Sequence, residues 1–560
     1  MARMTGHRYL AEAMKAYEVD HIFHMPTIVL PAFAEMEGMG IVRLSTHSEK
    51  SAVYMADGYA RASGKPGIAM AQTVGAANMA AGLQDPYLAC APVIAITGGR
   101  LPDTKFRNVY QEIEAHRMYD AVTKLNATVD KVERLPDMIR QAFRAATTGK
   151  PRPVHLELPG ASGIIGEEFE VPDSLPLAED RFKRFPAFRI EPDQSSIRAA
   201  ARALRDAQRP IIVAGGGVTT SGGQAELVEL AELLSIPVAT SLNGKGAISE
   251  TSELAVGVVG TYARMSANRA VSEADLVFYV GSHTGSQVTN NWRTPAIGGA
   301  AVIQLDIDPE QLGLNYPNTV SVLGDAKTGL RRLIEASEPV KDRGDWVGRT
   351  KQIVEDWRKE KAPLLNSDQD PIRPERLCKE VQDALSPTGV LVVDTGHAGM
   401  WTGAMVDIQR GQTFLRAAGS LGWSYPASLG AKCAAPQRDV ICFTGDGGFL
   451  YHLTELETAL RYGINTVTVV NNNYSLNQET EGMNRAYKGN QHGGAFQMWQ
   501  FERATNFAKV AEAFGCAGFR VEKPGEIGGA LKEALACGRP AVVDVVTDIE
   551  ALADTTSIYG

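Results

Sequence analysis

Short runs of aliphatic and β-branched residues recur along the chain at 21–24, 68–71, 93–97, 154–158, 211–213, 276–280, 302–305, 390–393, 440–444, 466–470 and 542–546. Between them lie longer stretches in which apolar positions return every three or four residues. The pattern predicts buried strands alternating with amphipathic helices. That rhythm belongs to α/β domains with parallel sheets, because a crossover helix is what joins parallel neighbours. Two stretches interrupt it, 171–195 and 361–375, where proline and charge accumulate as in linkers. Three α/β domains follow, at 1–185, 190–345 and 365–560. No short-period repeat or low-complexity tract is visible.

The run 440–444 ends in Gly445-Asp446-Gly447-Gly448. Phe449, Leu450, Leu453, Leu456 and Leu460 then keep helical spacing up to Gly463, and the next run closes on Asn471-Asn472-Asn473. A strand, crossover helix and strand of this kind bring both carboxyl ends to one sheet edge, so Asp446 and Asn473 can face one cation. Oxygen ligands completed by phosphate oxygens suit Mg²⁺. Gly445, Gly447 and Gly448 let the backbone approach phosphates, and the following helix offers free N–H groups at its start. Asp and Asn are also ordinary turn residues, so Gly-Asp-Gly alone is read first as a turn.

Spacing separates the two. Gly-Asp-Gly followed, after residues 448–471, by Asn472-Asn473 resembles the signature of enzymes dependent on thiamine diphosphate. The resemblance implies that Asp446, Asn473 and the backbone carbonyl of Ser475 hold Mg²⁺; spacing alone implies a metal-diphosphate site. Glu49 stands eight residues before Asp57-Gly58-Tyr59-Ala60-Arg61, a run similar to the acetolactate synthase and pyruvate oxidase branch of those enzymes. There a glutamate at this spacing contacts the aminopyrimidine ring. A carboxylate withdrawn from water and sharing a proton with that ring favours its imino form, which can take the proton from thiazolium C2. Tyr110-Gln111-Glu112 resembles the Phe-Gln-Glu of acetolactate synthases, which places Gln111 by the thiazolium. Gly419-Ser420-Leu421-Gly422 resembles Gly-Thr-Met-Gly, making Gly419 part of the cofactor turn and Leu421 the apolar wedge that bends the cofactor. Asp394-Thr395-Gly396-His397 resembles the strand end on the other side of the diphosphate and adds Gly396 and His397.

Other segments depart from that pattern. A Gly-x-Pro-Gly turn after the first strand is replaced by His24-Met25-Pro26-Thr27, so His24 and Thr27 are candidate substrate-facing residues; a core histidine is the alternative. The first domain's phosphate-side glycines become Gln72-Thr73-Val74-Gly75-Ala76-Ala77-Asn78, and Gly482 stands where acetolactate synthases place a tryptophan that shapes acceptor choice. Ala214-Gly215-Gly216-Gly217 resembles the glycine turn of flavin-binding members, but His283, Gly285 and Gln287 replace the arginines and aspartate expected after it. No FAD is expected, with room for ADP or nothing. The polar stretch 474–494 and the tail 554–560 are read as a lid, with Gln478 facing substrate.

Net charge is −9 and the basic residues are scattered, which offers nucleic acid no footprint. Six cysteines show no CxxC pair and read as buried thiols of a reducing compartment. Residues 1–20 form an amphipathic helix with acidic residues, unlike a signal or transit peptide, and no run of about 18 apolar residues exists to span a membrane. The expected location is the cytoplasm. The resemblance implies cleavage or formation of a carbon–carbon bond beside a carbonyl: a 2-oxo acid is decarboxylated and the remaining fragment passed to an aldehyde or ketone, as in acetolactate synthase. A plain 2-oxo-acid decarboxylase and a 2-hydroxyacyl-CoA or oxalyl-CoA type of lyase are the alternatives. A dinucleotide-dependent oxidoreductase is disfavoured because no strand opens into a full GxGxxG. In the resembled family the cofactor lies between the first domain of one subunit and the third of another, which implies at least a homodimer and commonly a homotetramer.

Overall fold

Among the described residues all eleven apolar runs are strands, and nine further strands complete the sheets. The computed structural model describes residues 2–171, 176–340, 342–490, 494 and 498–554. The first parallel sheet has the order Val42–Ser45, His21–His24, Gly67–Ala71, Val93–Gly98, Val154–Leu158, Leu125–Thr128. The second runs Ala255–Val258, Val238–Thr240, Pro210–Ala214, Leu276–Val280, Ala301–Asp306, Val320–Leu323. The third runs Thr413–Arg416, Val390–Val393, Val440–Gly445, Val467–Asn472, Ala541–Val546, Ala517–Val521. Numbered within each sheet, the first and third share the order 2-1-3-4-6-5, and the second has the doubly wound order 3-2-1-4-5-6. A two-stranded antiparallel ribbon pairs Ala2–Thr5 with Glu168–Val171.

The central strands are buried on both faces, as VIAITG at Val93–Gly98 and VTVVNN at Val467–Asn472 show, which is why they read as unbroken apolar runs. The described chain gathers into two compact units. One joins residues up to Phe188 with Ala417–Gln437 and His452–Thr466; the other comprises Arg189–Arg416, Arg438–Tyr451 and the residues from Val467 onward.

Within the first unit the helix Glu49–Ser63 lies directly on Ser424–Ala434. A Cβ at Gly58 would fall 2.0 Å from Ala427 O, and one at Gly430 would fall 1.9 Å from Met55 O, so the two backbones touch where each supplies a glycine. Within the second unit a buried ion network holds the C-terminal end of the helix His397–Met405. Lys245 pairs with Glu250 at 2.6 Å and donates to Gly403 O, while Arg264 donates to Ala404 O and pairs with Asp407.

Three expectations are corrected. The helix read through 449–462 is two, Asp446–Leu450 and Glu455–Arg461, joined by tight turns around the buried His452 and Glu455. Both ends of the segment 361–375 are helix: Gly344–Leu365 runs into it through Pro363, anchored by buried Trp357 and the Lys361 to Asp554 ion pair, and Pro374–Ala384 begins nine residues later. Within 171–195, the 3₁₀ turn Asp180–Lys183 packs Phe182 into the core. Among the described residues no disulfide joins any cysteines; Cys378, Cys442 and Cys516 are buried, and Cys90, Cys433 and Cys537 are half-buried. No helix among them is long and apolar enough to cross a membrane.

Candidate active site

The third sheet changes direction between Val390–Val393 and Val440–Gly445, and ligands of open α/β sheets collect at the carboxyl ends of strands flanking such a point. Gly396 and Asp446 follow those two strands. Asp446 begins the helix Asp446–Leu450 and is buried; its carboxylate accepts the N–H groups of Gly447 at 2.6 Å and Ser475 at 3.0 Å. Burial pushes its carboxyl up to about 7 against those N–H groups. The next strand pairs Asn471 with Gly445, so the asparagines leave the sheet beside Asp446.

The three asparagines have different fates. Asn471 Oδ1 accepts the Thr547 hydroxyl at 2.7 Å, and Asn472 donates to Asp544 at 2.8 Å. Asn473 Oδ1 is buried with no hydrogen-bond partner among the described residues. An orphaned amide oxygen beside a desolvated carboxylate is a hard-oxygen donor set that fits a divalent cation taking its remaining ligands from phosphate and water. Ser475 is buried in the same turn; its N–H goes to Asp446 and its hydroxyl to Trp499 O.

The glycines have distinct reasons. A Cβ at Gly447 would strike Leu476 at 2.4 Å, and one at Gly448 would lie 2.8 Å from Thr444 Oγ1, whereas nothing crowds Gly445. Gly396 has φ +69° at the start of His397–Met405, and its Cβ position lies 2.8 Å from Gln478 Oε1. Gln478 also hydrogen-bonds the Tyr262 hydroxyl, so it sits at the Gly396 turn. Burial pushes His397 down to about 4, and its buried Nδ1 has no partner among the described residues.

In the first unit Ser48 caps the helix that opens with Glu49. The loop before it is latched to the helix Glu455–Arg461: His47 N–H donates to Glu455 at 3.1 Å, Ser45 N–H to the Tyr462 hydroxyl at 2.9 Å, and Arg461 to Ser45 O at 2.8 Å. Glu49 is half-buried. Its Oε2 accepts from Asn78 at 3.1 Å, and a Cβ at Gly75 would lie 2.5 Å from Oε1, so Gly75 makes room for the carboxylate. Gln111 is half-buried with φ +61°, on a loop that exposes Phe106 by 80% and Tyr110 by 83%.

Gly419 and Leu421 lie on a turn before Ser424–Ala434. Gly419 is exposed and Leu421 half-buried. Asp85 accepts the N–H groups of Ala418, Gly419 and Ser420 at 3.0, 3.1 and 2.9 Å. His24 ends its strand, buried against Phe33, with Nδ1 unpartnered among the described residues and burial pushing it down to about 4, while Thr27 is exposed. Val29 adopts a left-handed backbone (φ +41°) that β-branched residues rarely take, at the start of Leu30–Glu35. The turn Ala214-Gly215-Gly216-Gly217 is filled by its neighbour: a Cβ at Gly281 would lie 2.6 Å from Gly217 Cα. In the lid segment, 477–487 form a 3₁₀ turn and the helix Thr480–Tyr487; residues 491–493 and the tail 555–560 lie outside the described residues.

Sequence reading missed Asp85, Asn78, Tyr262 and Asp544. Their partners lie far along the chain; only Asp57 and Arg61, four residues apart on one helix, carried a local signal.

Three family models match in order: the N-terminal thiamine pyrophosphate (TPP) binding domain of thiamine pyrophosphate enzymes at residues 4–118, their central domain at 197–333, and their C-terminal TPP binding domain at 394–545. The chain is 34% identical to a probable acetolactate synthase large subunit of Methanocaldococcus jannaschii, over 97% of this chain and 92% of that protein. Against the corresponding protein of Methanococcus aeolicus it is 33% identical with the same coverage. Against acetolactate synthase isozyme 3 large subunit of Escherichia coli it is 27% identical, over 98% and 96%. The chain therefore belongs to the thiamine pyrophosphate-dependent enzymes of the acetolactate synthase family.

Proposed function

We propose that this enzyme is a carboligase of the acetolactate synthase kind, removing the carboxylate of a 2-oxo acid and joining the retained fragment to a second carbonyl compound. The observation that carries this reading is the orphaned Asn473 Oδ1 beside the buried Asp446 carboxylate, in a chain similar from end to end to acetolactate synthase large subunits. Asp446, Asn473 and the Ser475 carbonyl would hold Mg²⁺ and, through it, the cofactor diphosphate. Gly445, Gly447 and Gly448 lie on the phosphate side, with Gly396 and His397 opposite. Thiamine diphosphate, when bound, supplies a carbon nucleophile that stores the electron pair released as the bond beside the carbonyl breaks.

The chain's own groups do the rest. Glu49 would share a proton with the pyrimidine ring, its carboxylate oriented by Asn78 and by the loop latched to Glu455. Leu421 on the Gly419 turn would support the bent cofactor, and Gln111 would lie by its thiazolium. His24, Thr27 and Gln478 are the residues we place toward substrate. We read the chain as domains 1–185, 190–345 and 365–560, acting in the cytoplasm as a homodimer at least and as a homotetramer in its larger assembly. The exposed Phe106 and Tyr110 beside Gln111 support a subunit contact there.

The test is NMR of the enzyme with thiamine diphosphate and Mg²⁺ on a panel of 2-oxo acids, with and without carbonyl acceptors. Ligated 2-hydroxy ketones are expected. CO₂ with free aldehyde identifies a plain decarboxylase, and silence across the panel overturns the 2-oxo-acid reading.

A further inference from the structure

Tyr474 follows Asn473 with a left-handed backbone, φ +57°. That conformation brings a Cβ against the following carbonyl, so glycine or asparagine is its usual occupant. A tyrosine persists there only where its surroundings over-determine the turn. Downstream, Phe501 N–H donates to Tyr474 O at 2.6 Å, Leu476 N–H donates to Trp499 O at 2.7 Å, and Ser475 bridges to Gln500.

The other side is held by one carboxylate, that of Asp544, fully buried on the strand Ala541–Val546. Its Oδ1 accepts the Asn472 amide at 2.8 Å, and its Oδ2 accepts Phe507 N–H at 2.8 Å and Arg520 Nη1 at 2.6 Å. Arg520 stands opposite Asp544 on the neighbouring strand Ala517–Val521 and gives Nη2 to the Tyr474 hydroxyl at 2.7 Å. Both neighbours of Asn473 are thus tied to one buried carboxylate, Asn472 directly and Tyr474 through the arginine. Only a planar guanidinium offers two donors in such a fixed fork. Asn473 Oδ1 itself has no partner among the described residues, while Ser475 N–H reaches Asp446 at 3.0 Å.

We propose that Arg520 is a positioning residue for the metal: backed by Asp544 and acting through Tyr474, it holds the left-handed turn that presents Asn473 Oδ1 and the Ser475 carbonyl beside Asp446. All of these residues lie in one compact unit of one chain, so the clamp acts whichever subunit supplies the pyrimidine side. Mg²⁺ demands near-ideal ligand geometry, and its oxygens here come from the ends of two strands. A turn set before the ion arrives avoids the cost of ordering it on binding. This inference rests on the Mg²⁺ roles of Asp446, Asn473 and Ser475 proposed above.

The test is equilibrium dialysis of the full chain with thiamine diphosphate across a Mg²⁺ series, read as the Mg²⁺ concentration that half-saturates cofactor retention. Arg520→Gln and Tyr474→Ala are each expected to raise it at least about tenfold, the scale of partners that orient metal ligands. Tyr474→Gly loses the same hydroxyl but takes a positive φ freely. Its value should lie at least about fivefold below that of Tyr474→Ala, the low end of the left-handed penalty. Added to Arg520→Gln, Tyr474→Gly should recover most of that variant's loss, whereas an arginine needed only for folding gains nothing from glycine at 474. Equal values in Tyr474→Ala and Tyr474→Gly overturn the proposal, as does the absence of recovery in the double variant. If Arg520→Gln fails to fold, the alanine and glycine pair decides alone, because both keep Arg520 on Asp544. Asn473→Ala reports on the underlying assignment. A raised Mg²⁺ requirement there beside an unchanged one in Arg520→Gln overturns the clamp alone; an unchanged requirement in Asn473→Ala removes the metal role of the turn and the clamp with it.

Discussion

Three successive asparagines at a strand end look interchangeable as letters, and their environments make them different. Asn471 and Asn472 are committed to Thr547 and Asp544, which leaves Asn473 Oδ1, of the three, without a partner among the described residues. Asn473→Ala is therefore expected to lose Mg²⁺-dependent retention of thiamine diphosphate by more than the about 10–100-fold that an outer-shell partner contributes. Asn471→Ala should instead cost about 1 kcal/mol of stability through its lost Thr547 bond and keep cofactor affinity. Equilibrium dialysis and urea titration separate the two; equal loss of affinity in both variants contradicts the assignment. Glu49→Gln removes the proton-sharing charge while keeping the Asn78 contact. Its kcat should fall by about 10²–10⁴-fold, the usual span for a general acid–base group, with cofactor binding in the same decade. Unchanged turnover sinks the mechanism.

The strands missed in the sequence are mostly edges. Val42–Ser45, Leu125–Thr128, Val320–Leu323 and Ala517–Val521 each keep exposed or half-buried positions, so no unbroken apolar run marks them. The interior strand Val238–Thr240 is the exception: it is buried throughout yet only three residues long, too short to stand out as a run. Helix pairing was invisible for another reason: the glycine contact between Glu49–Ser63 and Ser424–Ala434 joins segments more than 350 residues apart. Gly58→Ala places a methyl group inside the Ala427 carbonyl, so it should destabilise the chain by about 1–3 kcal/mol or more, as overpacking does when backbone cannot yield. Gly445→Ala, where the space is open, should leave the urea midpoint unchanged. A small effect at Gly58 argues against this close crossing.

Burial of histidine shapes how the folded chain responds to acid. His24, His397 and His452 are each pushed down to about 4 from the ordinary 6.5 by burial. The unfolded chain takes up these protons near 6.5 and the folded chain resists until about 4. Their contribution is present above about 6.5 and lost as pH falls toward 4. Asp446 and Asp57, raised to about 7 and about 6 by burial, act in the opposite sense. The difference between wild type and His24→Gln isolates one histidine. The variant's unfolding free energy, followed by urea titration without cofactor, should fall less steeply from pH 6.5 to 4, and parallel curves contradict a buried neutral His24. Across the chain, the alternation of strands and helices, the glycine-rich turn and the Asp446 to Asn473 spacing were readable from local pattern, because each depends on neighbours a few residues away. The shared 2-1-3-4-6-5 order of the first and third sheets, the orphaned oxygen at Asn473 and the grip of Asp85 on the Leu421 turn were not. Each depends on which distant segments pair, and that is settled by packing whole helices and sheets against one another, where a single buried oxygen or glycine acquires its meaning.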